Sequence, residues 1–518
     1  MTQKSFLTWT AASVLSLAVL SATPAALAQS SADVVMTGAG QVKGATADGM
    51  RKYLGIPYAA PPVGELRWRP PQAPASWSGV RDATKFAAHC AQLNRGVFAA
   101  PSNTEDCLYL NVFAPTANGE KRPVMVWFYG GGLFSGESED YDGAKLAVRG
   151  NVIVVTLNYR VGALGFLSHA ALNQEGHAAV NYGIMDQQFA LRWVKDNIQR
   201  FGGDPDNVTI FGQSGGGTSV MANLQSPLSR GLFHKAINQS GTRIAVTKPE
   251  TMLKIGEDFA TSAGCADQSA KCLRALTTEQ VLANQAGVLR VVADFPSVDG
   301  QVITKPAYDS FDSGTYNQVP ILTGLVQDEQ SFFMPELATK KPLTADEYDK
   351  YAESFGASHK ARLLERYPLN KYESPTLAEI DMAQRSKACT ARMLNRAWSK
   401  YAPLYSYEFR ERTAPSYFPP TSYPMRAYHT AELQYLFPMF RGGQGTARPL
   451  SEDQAKLSDR MVDYWTGFAR TGNPSAGFGR FDASKDNVNI LDLTPLREEA
   501  GYGQSNHCDL WDSILSYR

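Results

Sequence analysis

Ser214 stands at the centre of Gly212-Gln213-Ser214-Gly215-Gly216, a pattern that can lift a serine hydroxyl clear of its neighbours. In a chain with 43 glycines the pattern alone means little, but its flanks give it meaning. The β-branched run at residues 208–210 leads in as a strand, and residues 218–224 lead out as a helix. At so sharp a strand-to-helix turn, side chains two residues either side of the serine would collide, so glycine is required at 212 and 216. The Gly215 N–H then opens the helix, where free donors and the helix dipole favour a negative oxygen. A nucleophile beside an anion site is what acyl transfer requires.

A serine hydroxyl is nearly inert at neutral pH. It needs an imidazole as base, and the imidazole needs a carboxylate to fix its tautomer and steady its charge. With the serine on a strand–turn–helix, the chain order is serine, acid, histidine. That order sets aside His89, His169 and His177, and His234 follows Ser214 by only about one helix and one strand. Three candidates remain: His359 in a charged helical run, His507 beside Cys508, and His429 in a loop before the helical segment 430–437. Position alone leaves them open. For the acid, the strand at 319–324 delivers both Asp328 and Glu329 beyond its end, and spacing does not choose between them. Tyr129-Gly130-Gly131-Gly132 follows the apolar run 124–128, which puts a glycine run in a loop where amides can turn inward toward a substrate.

These groups must be positioned by a scaffold. Apolar runs at 124–128, 152–157, 208–211, 236–238 and 319–324 each end in a polar or glycine-rich turn, as buried parallel strands do. Between them, residues 186–200 place Ala190, Leu191, Val194 and Ile198 on one helical face. Alternating strands and helices imply an α/β chain with a large, mostly parallel sheet covered on both faces, its chemistry beyond the carboxyl ends of the strands. No linker, low-complexity tract or repeat divides residues 29–518, which are read as one catalytic domain.

Fifty basic residues balance fifty acidic ones without a long run of either sign, which disfavours nucleic acid and anionic membrane surfaces as partners. Lys4, the apolar residues 7–20 and Ala26-Leu27-Ala28 read as a signal peptide over 1–28. The apolar stretch is broken by Thr8, Thr10, Ser13 and Ser16 and is shorter than the ~20 residues a membrane span needs. Export to the periplasm or the medium is therefore expected. In such a chain six cysteines read as disulfides, with Cys90 and Cys107 close, Cys265 and Cys272 close, and Cys389 and Cys508 distant. There is no C-x-x-C and no H-E-x-x-H, and neither a metal nor an organic cofactor is expected.

The stretch Phe201-Gly202-Gly203-Asp204-Pro205-Asp206-Asn207-Val208-Thr209-Ile210-Phe211-Gly212-Gln213-Ser214-Gly215-Gly216 resembles the active-site signature of the type-B carboxylesterase and cholinesterase family. Glu105-Asp106-Cys107-Leu108-Tyr109-Leu110-Asn111-Val112 resembles its second signature, and Asn158-Tyr159-Arg160-Val161-Gly162 and Cys508-Asp509-Leu510-Trp511 are similar to further family segments. The resemblance covers almost all of the mature chain. It implies an α/β-hydrolase fold and hydrolysis of a small-molecule ester through an acyl-enzyme. It also implies Ser214 as nucleophile, His429 as base, Glu329 as acid and Gly131, Gly132 and Gly215 as oxyanion donors, and it supports the three cysteine pairings. Asp328 is then expected to be a solvated or capping carboxylate, and Ser240 resembles a family serine that can bond the acid. Two positions depart from the family pattern: Tyr129, where many relatives have histidine, and Gln330, where they usually have glycine. In the cholinesterases the loop closed by the first disulfide carries a tryptophan that holds a quaternary ammonium. Here that loop has Arg95 and, as its one aromatic residue, Phe98, so neutral esters with small to medium acyl groups are expected. The rival readings are a non-catalytic binding module of the same family, and an amidase or thioesterase with the same triad.

Overall fold

The five apolar runs lie side by side in the middle of one sheet. The computed structural model describes residues 1–2, 33–96, 99–116, 121–244, 247–292 and 296–515. Apart from Met1 and Thr2, the signal peptide read at 1–28 lies outside the described residues, as does Phe98. In chain order the strands are β1 (Val34–Met36), β2 (Gln41–Lys43), β3 (Ala45–Ala47), β4 (Met50–Pro57), β5 (Val80–Asp82), β6 (Tyr109–Pro115) and β7 (Arg122–Phe128). They continue with β8 (Ile153–Leu157), β9 (Gly203–Gln213), β10 (Lys235–Gln239), β11 (Ile321–Val326), β12 (Leu404–Phe409), β13 (Val488–Leu491) and β14 (Arg497–Glu499). Eleven form the main sheet in the order β14-β13-β12-β11-β10-β9-β7-β8-β6-β4-β3, and β1, β2 and β5 form a small separate one. From β8 through β7, β9, β10, β11 and β12 to β13 every pairing is parallel, while β6, β4 and β3 on one edge and β14 on the other join antiparallel. β7, β8, β10, β11 and β12 are buried at every residue, as strands covered on both faces must be.

Four helices matter most for the site: α1 (Tyr182–Asn197), α2 (Gly215–Gln225), α3 (Pro375–Ser399) and α4 (Glu452–Thr471). The helix read at 186–200 is α1, which begins earlier and tightens to a 3-10 turn at Ile198–Phe201 before Gly202, at φ 88°, turns the chain into β9. The segment 430–437 is helical only over Leu433–Leu436. Before that the chain turns through bonds from the Ala431 N–H to Tyr428 O and from the Leu433 N–H to Thr430 O, because Glu432 is drawn inward to tertiary partners rather than left on a helix surface. Three disulfides close, Cys90–Cys107, Cys265–Cys272 and Cys389–Cys508. The last lies in a satellite core with Tyr348, Tyr367, Met382 and Trp511, fastening the end of the chain to α3.

Arg160, in the family-like segment 158–162, is tied to Asp186 of α1. Arg160 Nη2 and Nε donate to the two carboxylate oxygens of Asp186 at 2.7 and 2.8 Å, the Arg160 N–H adds a third bond at 3.0 Å, and both side chains are buried. Removing one partner strands the other charge in a medium that cannot solvate it. Asp186→Leu is therefore expected to lower unfolding free energy by about 3–5 kcal/mol, and the double change Asp186→Leu with Arg160→Met by clearly less. Urea unfolding of the three proteins checks this, and equal losses in the single and double variants would contradict it.

Candidate active site

β9 ends at Gln213, and Ser214 then takes φ 60° and ψ −121°. A non-glycine residue there costs of order 1–3 kcal/mol and persists only where its surroundings hold both ends. The Ser214 N–H donates to Gln239 O of β10 at 2.9 Å, and Ser214 O accepts from the Thr218 N–H at 2.9 Å in the first turn of α2. A Cβ on Gly216 would lie 2.0 Å from Phe128 O, and one on Gly212 would lie 2.5 Å from Gly216 O. The turn closes only with glycine at both positions, as the sequence requires.

The glycine run follows β7 directly. Gly131 and Gly132 have φ of 99° and 63°, and Gly131 O accepts from the N–H groups of both Phe134 and Ser135 at 3.1 Å. Tyr129 anchors this loop from below: its ring stacks on Tyr159 with centroids 4.2 Å apart. The Tyr129 hydroxyl donates to Tyr159 O at 2.9 Å and the Tyr159 hydroxyl to Tyr129 O at 2.7 Å. The tyrosine that replaces histidine therefore fixes the loop and leaves its amides alone. The two loops meet at Gly215, where a Cβ would lie 2.8 Å from Gly132 N and 2.9 Å from Leu133 N. The amide edge of the glycine run thus borders the first residue of α2 beside Ser214.

The remaining groups arrive from the far ends of β11 and β12. Glu329 and His429, 1% and 5% exposed, pair through Glu329 Oε2 and His429 Nδ1. Glu329 Oε1 also accepts from the Ser240 hydroxyl at 2.5 Å and from the Val326 N–H at 3.2 Å, so the carboxylate is fixed on both oxygens. His429 Nε2 is buried with no hydrogen-bond partner among the described residues. Ser214, Glu329, His429, Gly131, Gly132 and Gly215 all line one cavity of about 620 Å³, whose walls include Leu133, Phe134, Tyr141, Phe332, Phe333 and Tyr417.

The other histidines are engaged elsewhere. His89 pairs with Glu137 at 2.8 Å, His169 with Gln268 at 2.9 Å and His177 with Glu175 at 3.1 Å. His234 accepts from the Val208 N–H at 3.1 Å, His507 contacts Arg366 at 3.4 Å, and His359 lies on the helix Ala357–Arg366. Asp328 differs from the expectation of a solvated or capping group: it is buried, makes no side-chain cap, and accepts from Arg412 Nε and Nη2 at 2.9 and 3.0 Å. Burial pushes its pKa up, opposed by the charge and hydrogen bonds of Arg412. The Arg412 partnership, some eighty residues away in sequence, could not be read from spacing.

Sequence reasoning missed a second set of bonds behind the site. Gln213 Nε2 donates to His429 O at 2.6 Å, tying the serine turn to the histidine loop. Gln239 Nε2 donates to Glu432 Oε1 at 3.0 Å, Tyr407 Oη donates to Glu432 Oε2 at 2.8 Å, and Trp465 Nε1 of α4 donates to Gln239 Oε1 at 3.1 Å. Burial pushes the Glu432 carboxyl up to about 8, opposed by the hydrogen bonds from Gln239 and Tyr407. Gln213 at least was legible, since it lies inside the serine pentapeptide.

The Carboxylesterase family is matched over residues 31–511. The chain belongs to that family. It is a carboxylic ester hydrolase with the α/β-hydrolase fold, which sets aside the reading as a non-catalytic binding module. It is 36% identical over 457 residues to the para-nitrobenzyl esterase of Bacillus subtilis (strain 168), covering 85% of this chain and 90% of the relative. It is 36% identical over 468 residues to a human cocaine esterase, covering 84% and 81%. Among solved structures, a PNB esterase superposes with a TM-score of 0.79 at 33% identity, covering 92% of this esterase and 99% of that chain.

Proposed function

We propose that residues 29–518 form one exported catalytic domain that cleaves neutral carboxylic esters with small to medium acyl groups through Ser214, His429 and Glu329. The observation that carries this reading is the line of contacts Ser240–Glu329–His429, which ends at an unpartnered imidazole nitrogen in the cavity that Ser214 also lines. His429 Nε2 takes the Ser214 proton as Oγ bonds to the ester carbon. The oxyanion formed is met by the amides of Gly131, Gly132 and Gly215. The C–O bond then breaks, and the alcohol leaves with the proton from His429. Water, losing its proton to the same nitrogen, frees the acid and restores Ser214. Export is supported by three disulfides, which persist in oxidising compartments.

Discrimination against cations follows from the cavity wall. Arg95 stands over the Phe134 ring at 4.6 Å and the Lys387 amine over the Phe333 ring at 4.0 Å, so two ring faces that could hold a quaternary ammonium are already covered by basic side chains. Of the wall acids, Glu137 is paired with His89, and Asp140 is pushed up to about 7 by burial and the neighbouring Glu137 charge. The test is steady-state hydrolysis of neutral aryl and alkyl esters of rising acyl length beside acetylthiocholine, with matched thioester and amide arms. The cationic substrate is expected to show kcat/KM at least about tenfold below its neutral thioester counterpart. A higher value for the cation would overturn the substrate assignment, and faster cleavage of the matched amide would overturn the ester preference.

A further inference from the structure

α3 reaches the cavity with Ser386, Lys387 and Thr390. Lys387 is half-buried, and its Nζ donates to Gln330 Oε1 at 2.8 Å while standing over Phe333. Gln330 turns its carbonyl toward Lys387 and its amide N–H groups away, where the buried Glu379 carboxyl accepts one. Gln330 is the position where glycine is the family habit, and a glycine would leave Lys387 without this holder. The carboxylate whose charge acts on Lys387, Glu329, is itself held by His429, the Ser240 hydroxyl and the Val326 N–H. One N–H is therefore taken by Gln330, another side is covered by the ring, and donor capacity remains beside a cavity wall that is otherwise apolar at Phe332, Phe333 and Leu337.

We infer that Lys387 is a specificity residue that donates a hydrogen bond to a second carbonyl oxygen on the substrate, so that diesters and keto esters are favoured over plain monoesters of similar size. This rests on the esterase reading of the Ser214 site and deepens it. A neutral carbonyl suits the place better than a carboxylate. Burial pushes the Lys387 amine down to about 7, with Glu329 raising and Arg243 lowering it, so at neutral pH the group is only partly charged, yet it can donate in either state. A carboxylate would also be repelled by Glu329, the charge that most supports the ammonium form.

The test compares diethyl succinate with ethyl octanoate on the wild type, Lys387→Met and Gln330→Leu, reading the ratio of their kcat/KM values. Lys387→Met keeps the aliphatic bulk and removes the donor, and it is expected to lower the diester-to-monoester ratio about tenfold. Gln330→Leu frees the amine from its holder and should lower the ratio by less. In the wild type the ratio is expected to fall as pH rises through about 7, because the neutral amine is the weaker donor, whereas any effect common to both substrates cancels in the ratio. Glu329, Arg243, Glu379 and Asp140 remain in Lys387→Met, so a pH dependence that survives there does not come from Lys387. A ratio unchanged within about twofold in Lys387→Met, or a wild-type ratio that ignores pH, overturns the inference. If the wild type cleaves neither ester, the esterase reading falls and takes this inference with it.

Discussion

Ser214→Ala is expected to lower kcat for a neutral ester roughly 10⁴- to 10⁶-fold, and His429→Ala to fall in the same range. The two losses should not add. With Ser214 gone, His429 has no hydroxyl to activate, and without His429 the serine keeps its proton, so the double variant should be about as slow as either single one. Ser214→Ala should not cost much stability: Ser214 carries its strain in the backbone, held by Gln239 O and the Thr218 N–H, and those bonds survive alanine. A fluorophosphonate should accordingly label the wild type at Ser214 alone and leave Ser214→Ala unlabelled while its melting temperature stays near the wild-type value. Retention of more than a few per cent of turnover by a rigorously purified Ser214→Ala protein would sink the nucleophile assignment.

The parts of the site that were legible beforehand are those whose chemistry is local. Gly212, Ser214 and Gly216 announce a turn because the backbone collisions that forbid a Cβ there lie within the motif or on the adjoining strand end, as the Phe128 and Gly216 carbonyls show. β7, β8, β9, β10 and β11 were readable as apolar runs because strands covered on both faces need nothing else. The other strands hide for the same reason in reverse. β3 and β14 are short and largely exposed, and β12, though wholly buried, interleaves Ser406 and Glu408 among its aromatics, so its pattern is not a plain apolar run. Lys387 was invisible as a wall residue. It sits mid-helix on α3, where one charged side chain in a long amphipathic pattern reads as a solvated face, and only the packing of α3 against Glu329–Phe333 turns it toward Gln330. Choosing His429 and Glu329 from position alone fails likewise, because what marks them is each other, one hundred residues apart.

The neighbouring carboxylates Asp328 and Glu329 offer the sharpest separation of roles. Glu329→Gln keeps the size and an acceptor for His429 Nδ1–H, and the Ser240 hydroxyl and Val326 N–H can still hold the side chain. What it loses is the negative charge that steadies the imidazolium formed when Ser214 gives up its proton, and with it the fixed tautomer, since an amide can present its N–H₂ to the ring instead. A fall in kcat of roughly 10³- to 10⁴-fold is expected, with a smaller effect on KM because Glu329 acts on the reaction through His429. Asp328→Asn removes a charge too, but that charge serves Arg412 and the Ala427 N–H rather than His429, and asparagine keeps one oxygen to accept from Arg412 Nε and the Ala427 N–H while its N–H₂ takes the place of the oxygen that accepts from Arg412 Nη2. Its cost should appear as lower stability, since a half-exposed arginine loses its partner, and kcat should fall less than about tenfold. The measurement is kcat and urea midpoint for both variants side by side. If Asp328→Asn proves the more damaging to kcat, the hydrogen-bonded pair of Glu329 and His429 is a structural contact and the acid that serves Ser214 is the other carboxylate.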